Sequence, residues 1–197
     1  NSQAAKEGGA IFMAGPFASL TINHSLIQGN QAPKASVIAM SCFNDNVYSK
    51  RKIDIATSSL IGNGSNASSS MLEFCGEPDV DLSTNTIAKN IASLTNGSII
   101  KFTGDTKAGT ETNNTSSILS DASLLTLNSN TIVENTANTT LLYDKMGLKA
   151  LSFNLLAYNI GTNACRYLLG PAADEKAVGV GLVYNALALV GANKCDV

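Results

Sequence analysis

"LLTLNSNTIVENTA", residues 124–137, is the stretch on which the fold turns. Leu125 and Leu127 alternate with polar residues, and Ile132 starts a second short apolar step. Asn130 and Asn135 lie five residues apart. A surface helix would repeat its apolar residues every three or four positions, whereas alternation places side chains on one face of a strand. Taking Leu125 as position 0, the pattern is apolar at 0, 2 and 7, and polar at 5 and 10.

The same frame fits four other segments. "LTINHSLIQGN" supplies Leu20, Ile22, Ser25, Ile27 and Asn30. "IDIATSSLIGN" supplies Ile53, Ile55, Ser58, Leu60 and Asn63. "VDLSTNTIAKN" supplies Val80, Leu82, Asn85, Ile87 and Asn90. "KALSFNLLAYN" fits less well, with Lys149 at position 0, then Leu151, Asn154, Leu156 and Asn159. Position 10 is Asn in every copy, and position 5 is Ser or Asn. A further apolar stretch precedes each copy: residues 8–13, 36–40, 70–74, 97–102 and 139–144. The copies start at 20, 53, 80, 125 and 149, so the loops vary while the motif is constant.

A constant motif with variable loops describes a solenoid. Three short strands per repeat carry the chain once around, and each coil stacks on the last at a strand spacing of ~4.8 Å. Equivalent apolar residues then form inward columns. Asn30, Asn63, Asn90, Asn135 and Asn159 form a ladder at the bends, where Asn tolerates left-handed backbone angles and stacked amides bond to one another. The alternative for this column is five glycan or metal ligands; it lacks acidic companions. The rival fold is an antiparallel sandwich, but its Asn-Gly turns, at 63–64 and 96–97, do not separate matched alternating runs.

Composition narrows the function classes. Charged residues are 14% and the net charge is −2, so nucleic acid is not expected as a partner. The most apolar tract, residues 177–192, is broken by Gly and Asn, so the chain is not expected to span a membrane by a helix. Four cysteines with no CxxC pair, and one histidine, make a zinc site improbable; no metal or cofactor is expected. Aligning "SVIAMSC" with "SMLEFCG" brings Cys42 and Cys75 within disulfide reach on neighbouring coils, leaving Cys165 to pair with Cys195. Four buried thiols are the alternative.

"GGAIFMAGPFASLTINHSLIQGNQA" resembles the right-handed parallel β-helix repeats of secreted and surface bacterial proteins. Its Gly-Gly-Ala-Ile element is similar to the repeats of polymorphic outer-membrane, autotransporter-like passenger domains. "SNTIVENTA" and "TNAC" resemble their later coils and cysteine-containing end. The resemblance implies an all-β, right-handed parallel β-helix of about five coils over residues 1–165, with an irregular capping segment at 166–197. The abrupt start at "NSQAAKEGGA" reads as a trimmed piece. It also implies an extracellular or cell-surface location and an adhesion or interaction role, with a carbohydrate or a host or cell-surface protein as partner.

The alternative is a carbohydrate-active enzyme on the same scaffold. A lyase would want an arginine base and a calcium-binding acidic cluster, but the arginines are Arg51 and Arg166 and no aspartate column recurs. Glycoside hydrolysis wants neighbouring carboxylates. Asp79 and Asp81 flank Val80 and project off the inward face, with Glu73 in the preceding strand; these three are the catalytic candidates. His24 reads as an exposed turn residue. Binding residues are sought where the frame lapses: 43–52, where Lys50, Arg51 and Lys52 either face an anionic sugar or are simply solvated; 103–122; and 166–197.

Overall fold

The computed structural model describes residues 1–15, 17–41, 51–75, 78–103, 124–144, 148–161, 163–167, 180–183 and 186–188. Among them there is no helix, and the strands form three parallel sheets of six. The first sheet holds β1 (Ile11–Met13), β4 (Ile38–Met40), β7 (Ser70–Cys75), β10 (Ser98–Thr103), β13 (Thr139–Asp144) and β16 (Asn163–Tyr167). The second holds β2 (Ser19–Asn23), β5 (Lys52–Ala56), β8 (Asp79–Ser83), β11 (Leu124–Asn128), β14 (Leu148–Ser152) and β17 (Val180–Val183). The third holds β3 (Leu26–Gln28), β6 (Ser59–Ile61), β9 (Thr86–Ala88), β12 (Thr131–Val133), β15 (Leu155–Ala157) and β18 (Ala186–Ala188). Each run of three consecutive strands makes one layer, and the layers stack in chain order, as a parallel β-solenoid requires.

The columns read from the sequence are the register of the sheets. Leu20, Ile53, Val80 and Leu125 are successive partners in the second sheet, as are Ile22, Ile55, Leu82, Leu127 and Leu151. Ile27, Leu60, Ile87, Ile132 and Leu156 align in the third. Ile53, Ile55, Leu60, Leu82, Ile87 and Ile132 are fully buried, each contributing on the order of 1.5–3 kcal/mol by leaving water. In the first sheet Phe74 lies beside Phe102, ring centroids 6.4 Å apart and tilted by 55°.

The asparagine ladder is saturated. Asn90 Oδ1 accepts from the backbone N–H of Asn63 at 2.9 Å and from its Nδ2 at 3.0 Å. Asn90 Nδ2 donates to the Leu60 carbonyl and to Asn135 Oδ1, both at 2.9 Å. Two acceptor and two donor capacities are thus filled, which is all a side-chain amide has. Asn63 and Asn135 repeat the pattern. A second ladder runs through position 5: Asn85, Asn130 and Asn154 bond in the same way. Ser25 and Ser58 begin this column, and their hydroxyls donate to the carbonyls of Asn23 and Ala56 in their own layer.

The left-handed backbone angles fall on the residue before each ladder position, not on the asparagines. His24, Thr57, Thr84, Ser129 and Phe153 have φ between 47° and 57°, and so precede position 5. Gly29, Gly62, Lys89, Glu134 and Tyr158 precede position 10 with φ between 55° and 66°. A positive φ turns the chain sharply and swings the following side chain inward, where an amide can be sealed. At a β-branched residue this conformation is costly, by roughly 1–2 kcal/mol. Replacing exposed Thr57 by Asn, which tolerates the angle, is expected to raise unfolding free energy by about 0.5–1 kcal/mol in urea denaturation. The Gly-Gly pair has its own reason: a Cβ on Gly9 would run into the Ser36 carbonyl oxygen of the next layer.

The sheets do not stop at residue 165. Within the stretch expected to be an irregular cap, Val180 and Leu182 pair with Lys149 and Leu151, and Leu187 pairs with Leu156. The frame therefore continues over Val180–Val183 and Ala186–Ala188. It escaped notice because position 10 there is Val190 rather than Asn.

Candidate functional site

Strands β5, "KIDIA", and β8, "DVDLS", alternate strictly, and their isoleucines, valine and leucine face the core. The intervening charged residues face out one strand spacing apart, Lys52 beside Asp79 and Asp54 beside Asp81. Two carboxylates thus sit in register, about 4.8 Å apart at the backbone. Oδ1 of Asp81 is sealed from solvent and has no hydrogen-bond partner. Burial, and next the charge of Asp54, push the Asp81 carboxyl above its ordinary range, while a hydrogen bond from Ser83 and the charge of Lys52 pull the other way.

The structure does not gather the three expected carboxylates. Glu73 is on the first sheet, whereas Asp79 and Asp81 are on the second. Glu73 is buried and accepts from Ser70 Oγ at 2.8 Å, with Lys34 Nζ at 3.7 Å and Lys101 Nζ at 3.5 Å. Lys34 also reaches Glu7 at 3.1 Å. Burial alone would lower the Lys34 ammonium, but Glu7 and Glu73 together hold it above its ordinary range. The neighbour that Asp81 does have, Asp54, was not among the candidates. Its signal was in the frame, since Asp54 and Asp81 both occupy position 1 of consecutive repeats.

Arg51 does not face a ligand or open solvent. It is 1% exposed, and its guanidinium donates to the carbonyl of Ser41 at 2.7 Å and to that of Cys75 at 2.5 Å. Burial lowers its pKa to about 10, so it stays charged at neutral pH. One side chain therefore ties the ends of β4 and β7 at the corner where the chain enters the second sheet. Cys75 is disulfide-bonded. Cys42 and Cys195 lie outside the described residues, as do most of 43–52 and of the 103–122 insertion. His24 is exposed at its corner, as expected.

One surface was not anticipated. Around the fifth layer Phe153, Leu155, Tyr158 and Ile160 are 59%, 38%, 57% and 63% exposed. Phe153 and Tyr158 occupy the two left-handed corners, where bulky side chains are uncommon. Other layers place His, Thr or Ser at the first corner and Gly, Lys or Glu at the second. Ile160 continues the column of Gly64, Ile91 and Thr136, and Leu155 follows Ser59, Thr86 and Thr131. The result is an apolar, aromatic stripe; in the layer before it Thr131 and Thr136 lie beside Leu155 and Ile160, and Glu134, paired with Lys89, holds the corner before Tyr158. The stripe's sequence signal was present in "SFNLLAYN", where Phe and Tyr break the polar usage of positions 4 and 9.

Among the described residues no three His, Cys, Asp or Glu side chains group so as to hold a metal ion, and no helix is long and apolar enough to cross a membrane. No family model, curated protein or solved structure matches the chain.

Proposed function

We propose that the chain is a rigid right-handed β-helix of about six coils, part of a secreted or cell-surface bacterial protein, acting as an adhesion or interaction module. Right-handed winding follows from the near-universal hand of parallel crossovers and from the resemblance of the repeats. The Cys42–Cys75 and Cys165–Cys195 pairings belong to this reading and suit an oxidising compartment.

The observation that carries the proposal is the aromatic stripe. Phe153 and Tyr158 are exposed aromatics at corners where the other layers carry His, Thr or Ser and Gly, Lys or Glu, and aromatic surface left in water is a usual mark of a contact site. The ligand chemistry that fits exposed aromatic faces beside the threonine hydroxyls of Thr131 and Thr136 and the carboxylate of Glu134 is a carbohydrate; a host or cell-surface protein is the second reading. The test uses Phe153→Thr with Tyr158→Lys, residues that other layers carry at these corners (Thr57, Lys89). On a glycan array the double variant should lose at least tenfold in binding while its circular dichroism is unchanged. Equal binding by both proteins would remove the stripe from the function.

The catalytic alternative draws on Asp54 and Asp81, carboxylates in register on neighbouring strands, of which Asp81 is held above the ordinary carboxylate range by burial and then by the charge of Asp54. It is separated by a polysaccharide depolymerisation assay: activity that vanishes in Asp81→Asn would establish it in place of the binding role.

A further inference from the structure

We infer that Asp54 and Asp81 share one proton across the step between β5 and β8, forming a carboxyl–carboxylate hydrogen bond that clamps these two layers together in acid. Two observations converge. The parallel register fixes the residues side by side, with no freedom to slip, since a one-residue shift would expose Ile53, Ile55, Val80 and Leu82. Independently, Oδ1 of Asp81 is enclosed without a partner. An ionised carboxylate needs donors, and this oxygen has none. A proton on the pair supplies the missing donor, and Asp54, one strand spacing away, is an acceptor within reach of a side-chain rotation.

The surroundings allow this. On β2, β5, β8 and β11 the described charged residues are Lys52, Asp54, Asp79 and Asp81. Lys52 is in register with Asp79, not with the pair. The column above and below the pair is Thr21 and Thr126, which carry no charge. Ser83, two residues on, bonds to Asp81 and offsets part of the repulsion. When the second proton leaves, it passes to water, and two like charges then face each other with one oxygen sealed.

The sign is fixed by linkage. The folded chain holds Asp81's proton to higher pH than the unfolded chain does. The native state therefore binds more protons between the ordinary carboxylate range and Asp81's raised midpoint, and stability falls as pH rises through that window.

The experiment is a carboxyl-carbon NMR titration of the whole chain, as wild type, Asp54→Asn and Asp81→Asn, with thermal unfolding on both sides of the window. Expected are a raised Asp81 midpoint, its return toward ordinary values in Asp54→Asn, and a melting temperature higher in acid that loses this dependence in either variant. Both substitutions are isosteric and both sites are only partly buried, so the variants should fold. An Asp81 midpoint equally raised in Asp54→Asn would assign the effect to burial alone and overturn the shared proton. Ordinary, independent titrations would do the same.

Discussion

Asn90→Ala is expected to cost about 3 kcal/mol, since a buried donor left without a partner alone costs about 1–3 kcal/mol and the lost amide leaves a void besides. The cost has identifiable sources. The backbone N–H of Asn63 loses its acceptor, and the Leu60 carbonyl loses a donor. Asn135 Oδ1 keeps the backbone N–H of Asn90 at 3.0 Å, so the damage runs mainly toward the N-terminal side. Hydrogen exchange at the Asn63 amide should quicken far more than at Thr136. Asn90→Ser should recover part of the loss. Ser58 shows how: its hydroxyl accepts from the Ser25 N–H at 3.1 Å but spends its own proton within its layer. Asn90→Asp keeps the acceptor and removes both donors, setting a charge against the Leu60 carbonyl and Asn135 Oδ1. It should be the most damaging of the three at neutral pH. Equal effects at Asn90 and at the exposed corner residue Lys89 would refute a structural role for the ladder.

Arg51→Ala is the second large effect, expected at about 3 kcal/mol. The substitution empties a fully buried volume and strips charge-assisted hydrogen bonds, each worth about 1.5–3 kcal/mol, from two carbonyls. Arg51→Lys should not rescue it. A single ammonium on a flexible stem cannot replace the flat fork that spans the ends of two strands. Denaturant titration distinguishes the outcomes: if Lys matched Arg, charge alone would suffice and the bridging geometry would be irrelevant.

The comparison of Asn90 with Arg51 shows what could be read from the chain. The asparagine repeats, so its column and its partners followed from spacing. Inward columns at positions 0, 2 and 7 followed for the same reason, because period-2 burial in a constant frame admits few geometries. Arg51 occurs once, next to Lys50 and Lys52, and in one dimension it looks like a solvated basic run. Its burial depends on the carbonyls of Ser41 and Cys75, ten and twenty-four residues away. Glu73 was misjudged similarly: its lysines come from two other layers. The aromatic stripe is written in the sequence but does not stand out there, since it consists of deviations from a frame whose constancy was the clue. Left-handed angles one residue ahead of the asparagines were hidden too, because Thr57 and Thr84 are poor candidates for them on propensity alone.

The rungs of the position-10 ladder join residues 33, 27, 45 and 24 apart in sequence, yet every amide–amide bond is 2.9 or 3.0 Å. Loop closure explains why the molecule is indifferent to this: lengthening an excursion from 24 to 45 residues adds about 0.6 kcal/mol of entropy cost. Contour length and geometry are therefore decoupled. A cassette spliced between β10 and β11 is expected to leave the stacking untouched, making the chain an address system in which each layer has a fixed height and an open reading frame for whatever sequence is grafted there.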